Sequence, residues 1–242
     1  MKLLKLKSLL AGSLAGFAAQ NLNGQTLLTE GHTDVGIVYE SGGWNLHIGQ
    51  HLAIPPMEYS PHEAILGVDI VKALTTVPAG SQWSFMGPAC SSVWILPAVQ
   101  NPDILFLGFG TEELASGLFL NDEVTLSLKA VRSPGQFAVY DVGMFGNPNI
   151  YMNSGDGITA GDSILLTASG HQHVNWAFSG PGTYEVDFEA VGMLVDGGDF
   201  SSSGPITYTF SVQAVPEPGT VSLVILGGAG MLAFMRRRNS CN

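Results

Sequence analysis

Between residues 20 and 214, short runs of Val, Ile, Phe, Tyr and Trp alternate with polar residues, and clusters of Gly, Pro, Asn and Asp separate the runs. That is the punctuation of strands and turns, and helix-period apolar stripes are almost absent. In 32–40, Thr33, Val35, Ile37 and Tyr39 share one face; in 44–48, Trp44, Leu46 and Ile48 do, with Asn45 and His47 opposite. Ser41-Gly42-Gly43 between them reads as a hairpin turn. The runs 92–96 and 104–109 are nearly all apolar, as buried strands are. In 123–131, Val124, Leu126, Leu128 and Ala130 face away from Thr125, Ser127 and Lys129, and further strands are predicted at 136–142, 164–168, 172–178, 183–191 and 206–212. About ten strands predict an all-β fold, a single β-sandwich of Ig-like or jelly-roll-like type with two packed sheets. One helix is expected over 60–74, capped at Ser60-Pro61, and a single turn over 111–116.

The two ends break this pattern. Lys2, Lys5 and Lys7 form a basic head before an apolar, small-residue stretch that is too short to span a bilayer, so 1–19 reads as a secretory signal peptide. At the other end, Val215-Pro216-Glu217-Pro218 precedes an apolar stretch, 220–235, and then Arg236, Arg237 and Arg238. An apolar helix followed by arginines is held with its arginines inside, leaving the body outside. The chain therefore divides into a leader (1–19), a β-sandwich body (20–214) and a tail (215–242).

Removing the ends changes the charge. Six of the nine basic residues lie in the lysine head and arginine cluster, leaving Lys72, Lys129 and Arg132 against twenty acidic residues, or about −17 for the rest of the chain. Such a surface repels nucleic-acid phosphates and tolerates cations and neutral sugars. Cys241 belongs to the tail, so Cys90 is alone in the body and no internal disulfide is expected.

The chemistry-bearing residues are histidines. In Gly170-His171-Gln172-His173-Val174-Asn175-Trp176, period two puts His171, His173 and Asn175 on one strand face and Val174 and Trp176 on the apolar one. Two imidazoles so spaced can converge on one ion. Gly31-His32-Thr33-Asp34 offers a second pair, His32 and Asp34, by the same rule. If the two strands are neighbours, His171, His173, His32 and Asp34 form a set suited to zinc or a similar divalent transition ion, with His47 and His51 in reserve. Asn153-Ser154-Gly155-Asp156-Gly157 lacks calcium-loop spacing and reads as a turn. Glu112-Glu113 is a carboxylate pair whose members point apart on a strand. Trp44, Trp83, Trp94 and Trp176 sit in apolar runs and read as core.

Two resemblances add to this reading. The Pro-Glu-Pro, apolar stretch and arginine cluster resemble the PEP-CTERM sorting signal of Gram-negative bacteria. This implies processing by signal peptidase and an exosortase, transient inner-membrane anchoring by a transmembrane helix, and release to the cell surface or extracellular matrix. The pieces TEGHTDVGIVYESGGWNLHI, VWILPAVQNPDILFLGFGTEEL, LKAVRSPGQFAVYDVG and GHQHVNWAFSGPGTYEVDFEAVG, spread over 28–191, resemble the surface-anchored domain named choice-of-anchor M. Some actinobacterial members of that family are associated with metal-ion transporter operons, which by analogy implies metal binding at the motifs containing His32, Asp34, His171 and His173; this chain departs from them in its anchor. The expectation is a non-enzymatic, exported surface protein that binds a divalent metal and no nucleic acid. A carbohydrate-binding module for extracellular polysaccharide is the alternative. A metal-dependent hydrolase with Glu63 or Asp34 as base is a second.

Overall fold

The structure, a computed structural model, describes residues 20–22, 24–51 and 55–214. The leader and the sorting tail expected at 1–19 and 215–242 lie outside the described residues. The all-β expectation holds, but the strands form three hydrogen-bonded sheets where two were expected. The largest runs in the order Gln20–Leu22, Gln25–Leu28, Ala64–Asp69, Ile206–Gln213, Gly182–Met193, Glu123–Arg132 and Ser163–Thr167, with Phe200–Ser202 also paired to Gly182–Met193. A second sheet is ordered Pro148–Asn153, Phe137–Val142, Asn175–Phe178, Ser92–Leu96 and Leu74–Thr76. The third is ordered His171–His173, Leu105–Gly110, Gly31–Glu40, Gly43–Gln50 and Met57–Tyr59.

One apolar cluster draws side chains from all three sheets, among them Phe188 and Phe210 from the first, Phe137 and Trp176 from the second, and Ile37 and Phe109 from the third. Trp176 is fully buried there, packed against Phe109 and Phe210, and its indole N–H donates to the Leu107 carbonyl (3.1 Å). A smaller cluster lies between the second sheet and the 3₁₀ segment Ser81–Met86, where Phe85 packs edge-on against Tyr140.

Local chemistry explains the turns. Ser41 and Gly42 both have positive φ (52° and 80°), and Glu40 pairs with Gly43, the conformation a two-residue type I′ hairpin requires. The helix expected over 60–74 is instead one turn followed by the strand Ala64–Asp69. Glu63 accepts hydrogen bonds from the Ser60 amide (3.0 Å) and hydroxyl (2.8 Å), a capping-like contact that opens no helix. Ala64–Asp69 is buried along its whole length, with parallel partners on both sides, so it shows no alternation for sequence reading to find. The expected turn at 111–116 is present, closed by Leu114 N–H to the Thr111 carbonyl (3.0 Å).

The strand expected over 172–178 also differs. It divides at Val174: His171–His173 pairs with Leu105–Gly110 in the third sheet, and Asn175–Phe178 pairs with Phe137–Val142 and Ser92–Leu96 in the second. The buried Val174 and Trp176 thus pin a crossing between sheets, which leaves the histidine end at the edge of the third sheet.

Candidate metal centre

The third sheet has one face on the core, through Val35, Ile37, Leu46, Ile48, Leu107 and Phe109. Its other face carries His32 and Asp34 from Gly31–Glu40, His47 from Gly43–Gln50 with His51 just beyond it, and His171 and His173 from His171–His173, by period-two alternation. Five of the chain's six histidines therefore gather on one sheet face. Across the strands the register aligns His173, Gly108, Asp34 and Gly49 in one row, and His171, Gly110, Gly36 and His47 in the next. His32 lies opposite Phe106.

The two ligand strands are not neighbours, the condition set for the pairs to meet; Leu105–Gly110 separates them. The side chains meet because this intervening strand presents glycines. A Cβ at Gly108 would lie 2.5 Å from Asp34 Oδ1 and 3.0 Å from His173 Cε1, and one at Gly110 would lie 2.7 Å from Glu112 Oε2. These absent side chains form a notch into which His171, His173 and Asp34 lean from either side.

Within the notch the Nε2 atoms of His32, His171 and His173 form a near-equilateral triangle with edges of 3.1, 3.0 and 3.0 Å. Asp34, 1 % exposed, approaches from below: Oδ1 lies 3.1 Å from His171 Nε2, and Oδ2 lies 3.3 Å from His32 Nε2 and 2.8 Å from His51 Nε2. The four expected residues, His32, Asp34, His171 and His173, are thus together, with their donor atoms within 4.8 Å of one another. Asn175, expected on the same face, is elsewhere; its side chain accepts from the Ala98 amide (3.1 Å) and donates to the Tyr140 carbonyl (3.3 Å).

Hydrogen bonding does not account for this arrangement. Each neutral imidazole nitrogen holds either one proton or one lone pair, so no assignment of tautomers satisfies three Nε2 atoms facing one another. The imidazoles flank Asp34 closely, yet both its oxygens are buried without a contact of hydrogen-bond geometry. Glu112 supplies the supporting contact: its carboxylate accepts from His171 Nδ1, which turns the Nε2 lone pair into the notch. Phe106 stacks flat on the His173 ring (centroids 3.5 Å apart, planes at 7°) and fixes its plane. Burial, with the neighbouring His171 and His51, lowers the pKa of His32. Burial lowers His173 to about 4, against a smaller opposing pull from the Leu107 carbonyl. Burial raises Asp34 to about 6, despite the opposing pull of His171 and His51. His32 and His173 are therefore neutral imidazoles at neutral pH, the state in which they donate to metals.

Sequence reasoning missed Gly108, Gly110 and Phe106, held His51 only in reserve, and noted Glu112 only as half of a carboxylate pair with no part in the site. A signal existed for Glu112: it stands two residues beyond Gly110, which stands two beyond Gly108. The tryptophans are engaged in packing: Trp94 and Trp176 are buried, Trp44 stacks on Phe119 (5.1 Å, 24°) and Trp83 packs edge-on against Tyr140.

Comparison with known proteins bears on the tail. Residues 214–239 match the PEP-CTERM protein-sorting motif. This is an exported protein, sorted to the cell surface by an exosortase. No curated protein matches the chain. Among solved structures, it is similar to the ASH / PapD-like domain of human CEP192 (PapD-like domain 7), at 17% identity and a TM-score of 0.19. That match covers 40% of this chain and 65% of the other, less than two thirds of its length, and carries no argument about fold or function. Among the described residues no helix is long and apolar enough to cross a membrane.

Proposed function

We propose that this protein is a non-enzymatic, surface-displayed binder of a divalent transition ion, zinc being the best fit, held by His32, His171, His173 and Asp34. The observation that carries the reading is the Nε2 triangle. A point 2.0–2.1 Å from all three nitrogens, the zinc–imidazole distance, lies only about 1 Å out of their plane, with a carboxylate alongside. Three imidazoles and one carboxylate are a borderline donor set that favours zinc, copper or nickel over calcium or magnesium. An ion there relieves the facing lone pairs and neutralises a buried carboxylate at once. The acidic surface around it attracts cations from the medium.

In this reading the binder is a β-sandwich body, residues 20–214, of the choice-of-anchor M kind, delivered by a leader and passed through the inner membrane by its tail helix. Exposure of His171 and His32 to solvent, about a quarter each, lets an ion enter and leave without a lid. Polysaccharide binding has less support, since the tryptophans are committed to packing. A hydrolytic role has less support because Glu63 is tied to Ser60 and Asp34 is enclosed by histidines. Isothermal titration of the purified protein with zinc tests the proposal. Binding that vanishes in His171→Ala and His173→Ala supports it; a native protein that takes up no zinc, nickel or copper at neutral pH overturns it.

A further inference from the structure

The same sheet face carries a second cluster, which the first does not use. His47 stands on Gly43–Gln50, Glu58 on the adjacent Met57–Tyr59, and Glu113 in the turn after Leu105–Gly110. Their donor atoms lie within 4.8 Å of one another. His47 is 7 % exposed, and its Nδ1 is buried without a hydrogen-bond partner. Its ring lies over Gly36, where a Cβ would overlap it, so the sheet is again notched by glycine to seat an imidazole. The two glutamates are exposed, and the cluster opens to solvent through them. A small groove lined by Asp34, His51 and Glu112 on one side and His47 and Glu113 on the other joins the two clusters. The Glu112-Glu113 pair straddles them: Glu112 turns to His171, and Glu113 turns to His47.

We propose that His47, Glu58 and Glu113 form a second divalent-cation site beside the three-histidine notch, so that the sheet face holds two ions. The inference rests on the notch being a metal site but is tested separately from it. One imidazole and two carboxylates are a harder set with fewer nitrogen donors, so this site binds more weakly than its neighbour. Two glutamates at the solvent edge suit it to capturing an ion ahead of the deeper site. His51 contacts Asp34 (2.8 Å) and lines the same groove.

The test is a zinc titration of the purified full chain, read by calorimetry and by metal content after equilibrium dialysis. Two equivalents are expected, the second at least tenfold weaker. In the exposed pair Glu58→Gln/Glu113→Gln, whose side chains bear little on folding, the weaker equivalent is lost and the tighter one is kept. In His173→Ala the tighter one is lost and the weaker one is kept. A native stoichiometry of one, abolished by His173→Ala, overturns the second site and leaves the first. Two equivalents that persist in Glu58→Gln/Glu113→Gln overturn the assignment of residues. No zinc bound by the native protein overturns both.

Discussion

Replacing Gly108 by alanine changes no ligand yet should disable the site. Gly108 shows no positive φ, so alanine meets no backbone strain. The new methyl group would lie 2.5 Å from Asp34 Oδ1 and 3.0 Å from both His173 Cε1 and the Gln172 carbonyl oxygen. Restoring an ordinary contact with the carboxylate requires a shift of about 0.9 Å, against the ~0.2 Å tolerance of metal–ligand distances. Overpacking of this kind costs about 1–3 kcal/mol of stability. A loss of about 100-fold in zinc affinity follows if Asp34 and His173 no longer aim at one point. At a zinc concentration 100 times the native Kd, binding stabilises the native protein by about 2.7 kcal/mol. The same concentration stabilises the variant by only about 0.4 kcal/mol. For a domain of this size that is a zinc-induced Tm rise of roughly 5–10 °C in the native protein and roughly 1–2 °C in the variant. Thermal unfolding with and without zinc, followed by circular dichroism, measures both. A Gly108→Ala protein that folds and shows the full zinc-induced rise would refute the notch as the reason these residues meet.

Other outcomes follow from the same geometry. Glu112→Gln, which weakens the hold on His171 without touching a donor atom, should lower zinc affinity about 10–100-fold and leave the metal-free Tm within a degree or two; unchanged affinity in titration removes Glu112 from the site. Asp34→Asn should abolish tight zinc binding yet raise the metal-free Tm at pH 7.5. A carboxyl pKa raised from 3.8 to about 6 means the carboxylate destabilises the metal-free fold above pH 6, by about 3 kcal/mol at most. The raised Asp34 loses the fold stability as pH rises through 3.8 to 6, while His173, lowered from 6.5 to about 4, makes the fold gain stability as pH rises through 4 to 6.5. The two oppose each other in the metal-free protein, so denaturation midpoints should vary little from pH 4 to 6 there and rise with pH in Asp34→Asn; a flat profile in both denies the histidine its shift. Zinc affinity should fall as pH drops below about 6, where Asp34 takes up a proton, and a fall beginning only near pH 4 would exclude Asp34 as a ligand.

Part of the strand plan was legible because several strands have one solvated face. Glu123–Arg132 alternates buried with more exposed residues through Leu128, as its sequence does, and the Ser41-Gly42 hairpin has the left-handed backbone its residues suit. Ala64–Asp69 was not legible, because burial on both faces erases alternation and the Ser60-Glu63 contact imitates a helix cap. The four residues of the notch were legible by period two within each strand. What joins them was not, because it depends on strand order. No pattern inside GHTD or GHQH says that Leu105–Gly110 lies between them, or that its glycines let side chains from next-but-one strands touch. The same dependence hid the division of labour in Glu112-Glu113, whose members serve different clusters on one face.

The role proposed for His32, His171, His173 and Asp34 is to hold a divalent ion. Its most direct test is metal content after dialysis of the purified protein against zinc at pH 7.5, beside the double variant His171→Ala/His173→Ala. The native protein is expected to retain at least one tightly held equivalent, and the double variant to lose it. Equal zinc content in the two proteins, or none in either, would contradict it.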